Sequence, residues 1–170
     1  IFHSAFVVIL IGAAITRYVG YEGIMQIKEG TTENKMLSLE PYLQVTIKDG
    51  DKVYYQDYQK EFTSLLPQVN NFSHKIDFDG KTLGIDYKDY MFVQQNGGKM
   101  GLTTVVVTLN GETQEIRLPG LRGQAPIPRD LQFGNIAVTI GYGSKIVELP
   151  FSIKLNDFQL DRYPGSMSPS

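Results

Sequence analysis

From residue 41 onward, apolar and polar side chains alternate with period two. Leu43, Val45 and Ile47 interleave with Gln44, Thr46 and Lys48, the pattern of a strand with one face buried. Asp49-Gly50 follows, and Val53-Tyr54-Tyr55 predicts the returning strand. Ile76 and Phe78 lead to Asp79-Gly80, with Leu83, Ile85 and Tyr87 beyond it. Residues 102–109 are rich in Val and Thr, turn at Asn110-Gly111 and return over 112–118. Ile136, Val138 and Ile140 alternate once more. Gly141-Tyr142-Gly143-Ser144 reads as a turn into a long last strand over 145–155, with Pro150 marking an edge or a bulge. In that strand Phe151, Ile153 and Leu155 are expected in the core, with Ser152, Lys154 and Asn156 on the other face. Helical character is confined to 31–39 and to 60–66, which Pro67 ends, and residues 119–128 read as a loop. Four hairpin-like pairs at regular spacing predict an all-β fold, an antiparallel sandwich or open barrel.

The N-terminal segment follows a different rule. Residues 5–15 are wholly apolar, and no charge precedes Arg17. Every face of such a helix is apolar, which argues against a half-buried position in a soluble core. The run is shorter than the ~20 residues of a full membrane span. It lacks both the basic start and the small-residue cleavage site of a signal peptide. The reading is the C-terminal part of a transmembrane helix over residues 1–20, with Tyr18 and Tyr21 in the interfacial belt and Arg17 at the boundary. Residues 21–40 then form a membrane-exit connector and 41–170 an extracytoplasmic β domain. Both ends read as cut from a larger protein.

Composition narrows the chemistry. A net charge of -2 without a basic cluster excludes a nucleic-acid partner. With no Cys, neither disulfides nor thiolate metal sites can form. No nucleophile elbow or phosphate-binding glycine loop is present, so no catalytic residue is assigned. Asp77, Asp79, Asp86 and Asp89 read as solvated positions beside hairpins, residues 94–98 as a polar turn, and His74 as a surface residue at a strand start. His3 differs, because an ionisable side chain in an apolar helix is costly and usually faces a bundle interior or a cofactor. Neutral imidazole is a common axial ligand of haem iron, and a wetted helix end is the alternative.

Two stretches carry a resemblance. Residues 11–23, Ile-Gly-Ala-Ala-Ile-Thr-Arg-Tyr-Val-Gly-Tyr-Glu-Gly, followed by Ile27-Lys28-Glu29-Gly30, resemble the end of a transmembrane helix in the ResB family of cytochrome c biogenesis proteins. Residues 151–166, Phe-Ser-Ile-Lys-Leu-Asn-Asp-Phe-Gln-Leu-Asp-Arg-Tyr-Pro-Gly-Ser, resemble that family's segment leading into its Ser-Pro-x-x-Tyr region. They bracket the chain in the family's order and cover about a quarter of it.

The resemblance implies system II cytochrome c maturation. A ResB-type subunit works with a CcsA/ResC-type membrane subunit, separate or fused, to carry haem across the cytoplasmic (inner) membrane and attach it to apocytochrome c. The β domain would lie on the periplasmic or extracytoplasmic side, the helix would contact membrane lipid, and His3 matches the position of a haem-associated family histidine. The other family helices, a later transmembrane histidine and the partner's tryptophan-rich motif have no counterpart here, and Trp is absent. A membrane-tethered β-sandwich that binds an envelope protein without haem is the competing reading.

Overall fold

The computed structural model describes residues 2–18, 20, 22–95 and 98–159. One helix, α1 (Phe2–Tyr18), precedes the strands β1 (Gly23–Ile24), β2 (Thr32–Asp49), β3 (Lys52–Gln59), β4 (Ser73–Phe78), β5 (Lys81–Gln95), β6 (Gly98–Leu109), β7 (Glu112–Pro119), β8 (Arg129–Phe133) and β9 (Ile136–Lys154). A short 3-10 turn occupies Pro67–Asn70.

The predicted turn dipeptides set the hairpins. Asp79 and Gly80 (φ 44° and 72°) join β4 to β5, and Asn110 and Gly111 (φ 52° and 82°) join β6 to β7. Two successive positive φ values define the turn whose twist matches that of paired strands, and Asn, Asp and Gly tolerate it best. At the β2–β3 hairpin the pairing of Asp49 with Lys52 makes Gly50 and Asp51 the loop residues, one position beyond the dipeptide's start.

All pairings are antiparallel, in two sheets. One runs β1-β2-β9-β8, with β3 also paired to β2; the other runs β4-β5-β6-β7. Their inward faces share one core. Leu43, Val45, Ile47, Val138 and Ile140 come from the first sheet, Leu83, Ile85, Val105, Val107 and Leu118 from the second. The sandwich reading holds, and period-two alternation is its cause: one face of each strand is apolar and must find the other sheet.

Several expectations are corrected. Residues 32–39 are strand rather than helix, because β2 extends outward to pair with residues 146–154 of β9 and with β1. Residues 60–66 are not helical; the only helical turn of that region begins at Pro67 rather than ending there. The loop over 119–128 is followed by a strand, β8, and it is β8 that pairs with the first five residues of β9 around Gly134 and Asn135. β9 itself runs without a turn through residues 141–144. Its glycines serve close backbone approach instead. A Cβ on Gly143 would stand 2.6 Å from the Gln124 carbonyl oxygen, and one on Gly141 would stand 3.0 Å from Pro126.

Pro150 does mark an irregularity. The register slips between Glu33/Ile153 and Lys35/Glu148, and β8 pairs only with residues 136–140, so Pro150 also lies on an open edge. The expected burial of Phe151 and Ile153 is overturned: both are exposed, as are Ser152 and Lys154, and Leu155 is only partly covered. Here β2 and β9 form a ribbon beyond the second sheet, and among the described residues nothing is packed over either face. The expectations on Tyr21, Asn96 and Gly97, and residues 160–166 of the second resembling stretch, lie outside the described residues.

Candidate functional site

The two ends of the sandwich differ in chemistry. Every tight hairpin turn among the described residues lies at one end, since Asp49 pairs with both Lys52 and Ile136 and Leu109 pairs with both Leu83 and Glu112. That end is polar and cross-braced. Lys52 bonds Asp79 at 2.7 Å, Lys81 bonds Asp49, and Thr82 donates to Asp77 at 2.6 Å. The Lys52 ammonium holds the Asp79 carboxyl below its ordinary range. Asp86 and Asp89 are exposed, so the four aspartates are solvent-facing or paired, as their positions beside hairpins suggested. Among the described residues no His/Cys/Asp/Glu cluster is placed to hold a metal ion.

The opposite end carries α1. Its described side chains from His3 to Tyr18 are all exposed, including Phe6, Val8 (68%), Ile9, Leu10 and Ile11. The helix has 17 residues, or about 25 Å at 1.5 Å per residue. Among the described residues no helix is long and apolar enough to cross a membrane. The expected transmembrane helix is thus present only as this shorter element. Thr16 Oγ1 donates back to the Gly12 carbonyl at 3.1 Å, which satisfies the hydroxyl inside the helix.

At the helix exit, Thr16, Arg17, Tyr18, Ser38, Glu40 and Tyr42 are among the residues lining an open cleft of about 780 Å³. Its floor is fixed by polar bonds. Ser38 Oγ donates to the Glu40 carbonyl at 2.6 Å and accepts from the Lys145 amide at 2.8 Å. Arg122 Nε donates to the Leu39 carbonyl at 2.9 Å, and its guanidinium lies 3.8 Å from Glu40 and 3.7 Å from Glu61. Gly120 lies against this wall; a Cβ there would fall 2.0 Å from the Tyr142 carbonyl oxygen. In the core Phe62 packs on Tyr142, Tyr90, Tyr87 and Phe72 with ring centroids 4.7–6.0 Å apart. Burial pushes the Tyr142 phenol well above its ordinary value, so it remains protonated at any physiological pH.

His3 stands in the first turn of α1, where Phe6, Val7 and Leu10 follow it at helical spacing. Tyr18 lies fifteen positions further on, about 22 Å along the axis. An imidazole beside an apolar stripe has the donor chemistry to hold haem iron through one ring nitrogen, and in α1 His3 would be the residue to do so. The other histidine is not brought near it as a ligand. His74, expected on the surface, is half-buried between the sheets, stacked on Tyr58 at 3.7 Å and near Phe72 at 5.0 Å. The missed signal is the aromatic at position 72, two residues before it.

Burial, and then the Lys60 charge, lower the His74 pKa from 6.5. The unfolded chain therefore binds a proton that the folded chain refuses. This contribution is fully present above pH 6.5 and is lost as pH falls through that value toward the folded pKa. The urea midpoint should be level above pH 7, then decline below about pH 6.5, before carboxylates titrate. His74→Phe, which keeps a ring in the stack, should flatten that part of the profile.

An apolar helix leaving one end of a two-sheet antiparallel domain, with polar hairpin turns gathered at the other, defines a helix-bearing β-sandwich, and residues 1–79 of the chain match the ResB-like family. The match takes in α1, the cleft-lining strands β2 and β3, and β4. Protein NrfI of Wolinella succinogenes is 34% identical over 170 residues, which is 100% of this chain and 18% of NrfI. That alignment also includes the segment 151–166 that carried the second resemblance.

Proposed function

We propose that this chain is a membrane-seated portion of a cytochrome c maturation protein, with α1 in the cytoplasmic (inner) membrane and the β domain on its extracytoplasmic side. The observation that carries the membrane reading is the exposure of an apolar helix on every face. In water, each large side chain left exposed forgoes about 1.5–3 kcal/mol of burial free energy. Lipid, or neighbouring helices within it, removes that penalty. The family match and the similarity to NrfI along the whole chain support the maturation role. In this reading the partners are a CcsA/ResC-type membrane subunit and apocytochrome c, and haem is the cargo.

His3 is the residue proposed to ligate haem. Haem would supply iron as the acceptor of the imidazole lone pair. His3 would hold that nitrogen at a fixed depth about 22 Å from the helix exit, while Phe6 and Val7 exclude water from it. The ring's second nitrogen needs a hydrogen-bond partner to fix its tautomer.

The test is His3→Ala in the protein purified from membranes in detergent. Haem content is expected to fall, or the absorption spectrum to change, with partial recovery on adding imidazole. Unchanged haem content and normal cytochrome c maturation would remove His3 from the haem path. Absence of haem from both proteins would instead favour the tethered sandwich that binds an envelope protein.

A further inference from the structure

Residues 60–72 join β3 to β4 at the end that carries α1. Phe62 and Phe72 anchor the segment, the first buried in the core and the second packed against it, with ring centroids 6.0 Å apart. The nine residues between them are held as a compact loop. The Asn70 side chain, 1% exposed, accepts the Thr63 amide at 2.9 Å and donates to the Thr63 carbonyl at 2.8 Å. Lys60 Nζ donates to the carbonyls of Val69 at 2.8 Å and Asn71 at 3.3 Å. The Leu65 amide donates to Thr63 Oγ1 and the Val69 amide to the Leu66 carbonyl, both at 3.1 Å. So latched, the loop turns apolar side chains outward: Leu65, Leu66 and Val69 are 90%, 53% and 50% exposed. No charged residue occurs from 62 to 73.

The loop starts beside the helix exit. The Lys60 amide donates to the Pro41 carbonyl at 3.1 Å, and Gln59 lines the cleft together with Thr16, Arg17 and Tyr18 of α1. Arg122 stands between the two features, 3.8 Å from Glu40 of the cleft and 3.7 Å from Glu61 at the neck of the loop.

We propose that the loop over 63–71 inserts Leu65, Leu66 and Val69 into the lipid interface as a second membrane contact. The proposal rests on the reading of α1 as membrane-seated, which brings this end of the sandwich to the bilayer. Ordering a loop so that three apolar side chains face outward costs conformational entropy and gains no burial in water, so the arrangement calls for a cover. A side chain as open as Leu65 needs a matching recess in a protein partner, whereas the acyl boundary of a bilayer accepts it without one. The backbone suits that boundary, because Asn70, Lys60 and Thr63 satisfy loop amides and carbonyls from within the protein. The charges suit it as well: Lys60 lies at the neck, level with an anionic headgroup layer, and Glu61 is faced by Arg122. Ser64, Gln68 and Asn71 are exposed among the apolar residues and limit insertion to the headgroup–acyl boundary.

The chain has no native cysteine, so single-cysteine variants carry one label each. The full chain with Leu65→Cys, Val69→Cys, Val8→Cys or Glu112→Cys is labelled with an environment-sensitive fluorophore and reconstituted in phosphatidylcholine–phosphatidylglycerol vesicles. Labels at 65 and 69 should shift to the blue and be quenched by lipids bearing a spin label near the headgroup. The label at 8 should be quenched by lipids spin-labelled along the acyl chain, and the label at 112, at the polar end, should stay aqueous. Adding Leu66→Ser and Val69→Ser to the chain labelled at 65 should reduce the quenching there; undiminished quenching means that the fluorophore enters lipid on its own, and overturns the proposal. Quenching at 8 with aqueous emission at 65 and 69 overturns the loop proposal and leaves the helix reading standing. A blue shift at 65 and 69 without lipid quenching means contact with protein, a second copy or another chain, and also overturns it. If 8 is not quenched the helix reading falls, and the loop is decided by its own two labels.

Discussion

Leu43→Ala is expected to lower the unfolding free energy by about 3–4 kcal/mol, read as a fall in the urea midpoint with the slope unchanged. Leu43 is fully buried, and its strand pairs with Tyr58 of β3 on one side and Tyr142 of β9 on the other. A cavity there cannot close by moving one strand without breaking a ladder on either flank. The loss therefore includes both the transfer term and unfilled space. Phe151→Ala removes a larger side chain but an exposed one, and should change the unfolding free energy by no more than about 0.5 kcal/mol. A large effect there would mean that the β2–β9 ribbon is covered in solution.

Val8→Arg combined with Ile11→Arg is expected to release the chain from membranes. Each arginine near a helix centre costs roughly 2.5–3.5 kcal/mol on insertion, so the pair opposes membrane seating by about 6 kcal/mol. The measurement is partition between pellet and supernatant after alkaline carbonate extraction. The β domain should stay folded, because α1 contributes none of its core. Wild-type chain in the supernatant would overturn the membrane reading. Arginine variants remaining in the pellet would show that some other part of the chain holds it there.

Period two was enough to locate most strands, and the turn dipeptides located their ends, because both rest on local sterics. What failed was non-local. Gly141 and Gly143 suggested a turn, yet their lack of side chains serves the passage of residues 124–128 across β9, a contact no local pattern announces. Phe151 and Ile153 alternate as a core strand should, but no second sheet reaches them. Residues 31–39 have the composition of a short helix and become strand because residues 146–154 lie alongside. His3 stood out at once, since a lone imidazole in an apolar run is conspicuous in one dimension.

The pairing of the start of β2 with the end of β9 also determines how the domain would respond to force. Thr32 lies opposite Lys154, with Gly30 donating to Leu155 at 2.7 Å and Leu155 donating to Thr31 at 3.1 Å just outside. A pull between the helix and the chain beyond β9 acts across these bonds at the open end of the ladder and peels them one after another, rather than loading them together in shear. The irregularities at Glu33/Lys35 and Leu37/Pro41 interrupt the ladder and act as natural pauses. For a pull through the helix, the pairing of Gly23 and Ile24 with Ser38 and Leu37 would part first and the ribbon next, at low force, while the section from Leu43 to Ile47, clamped by β3 as well, would yield last.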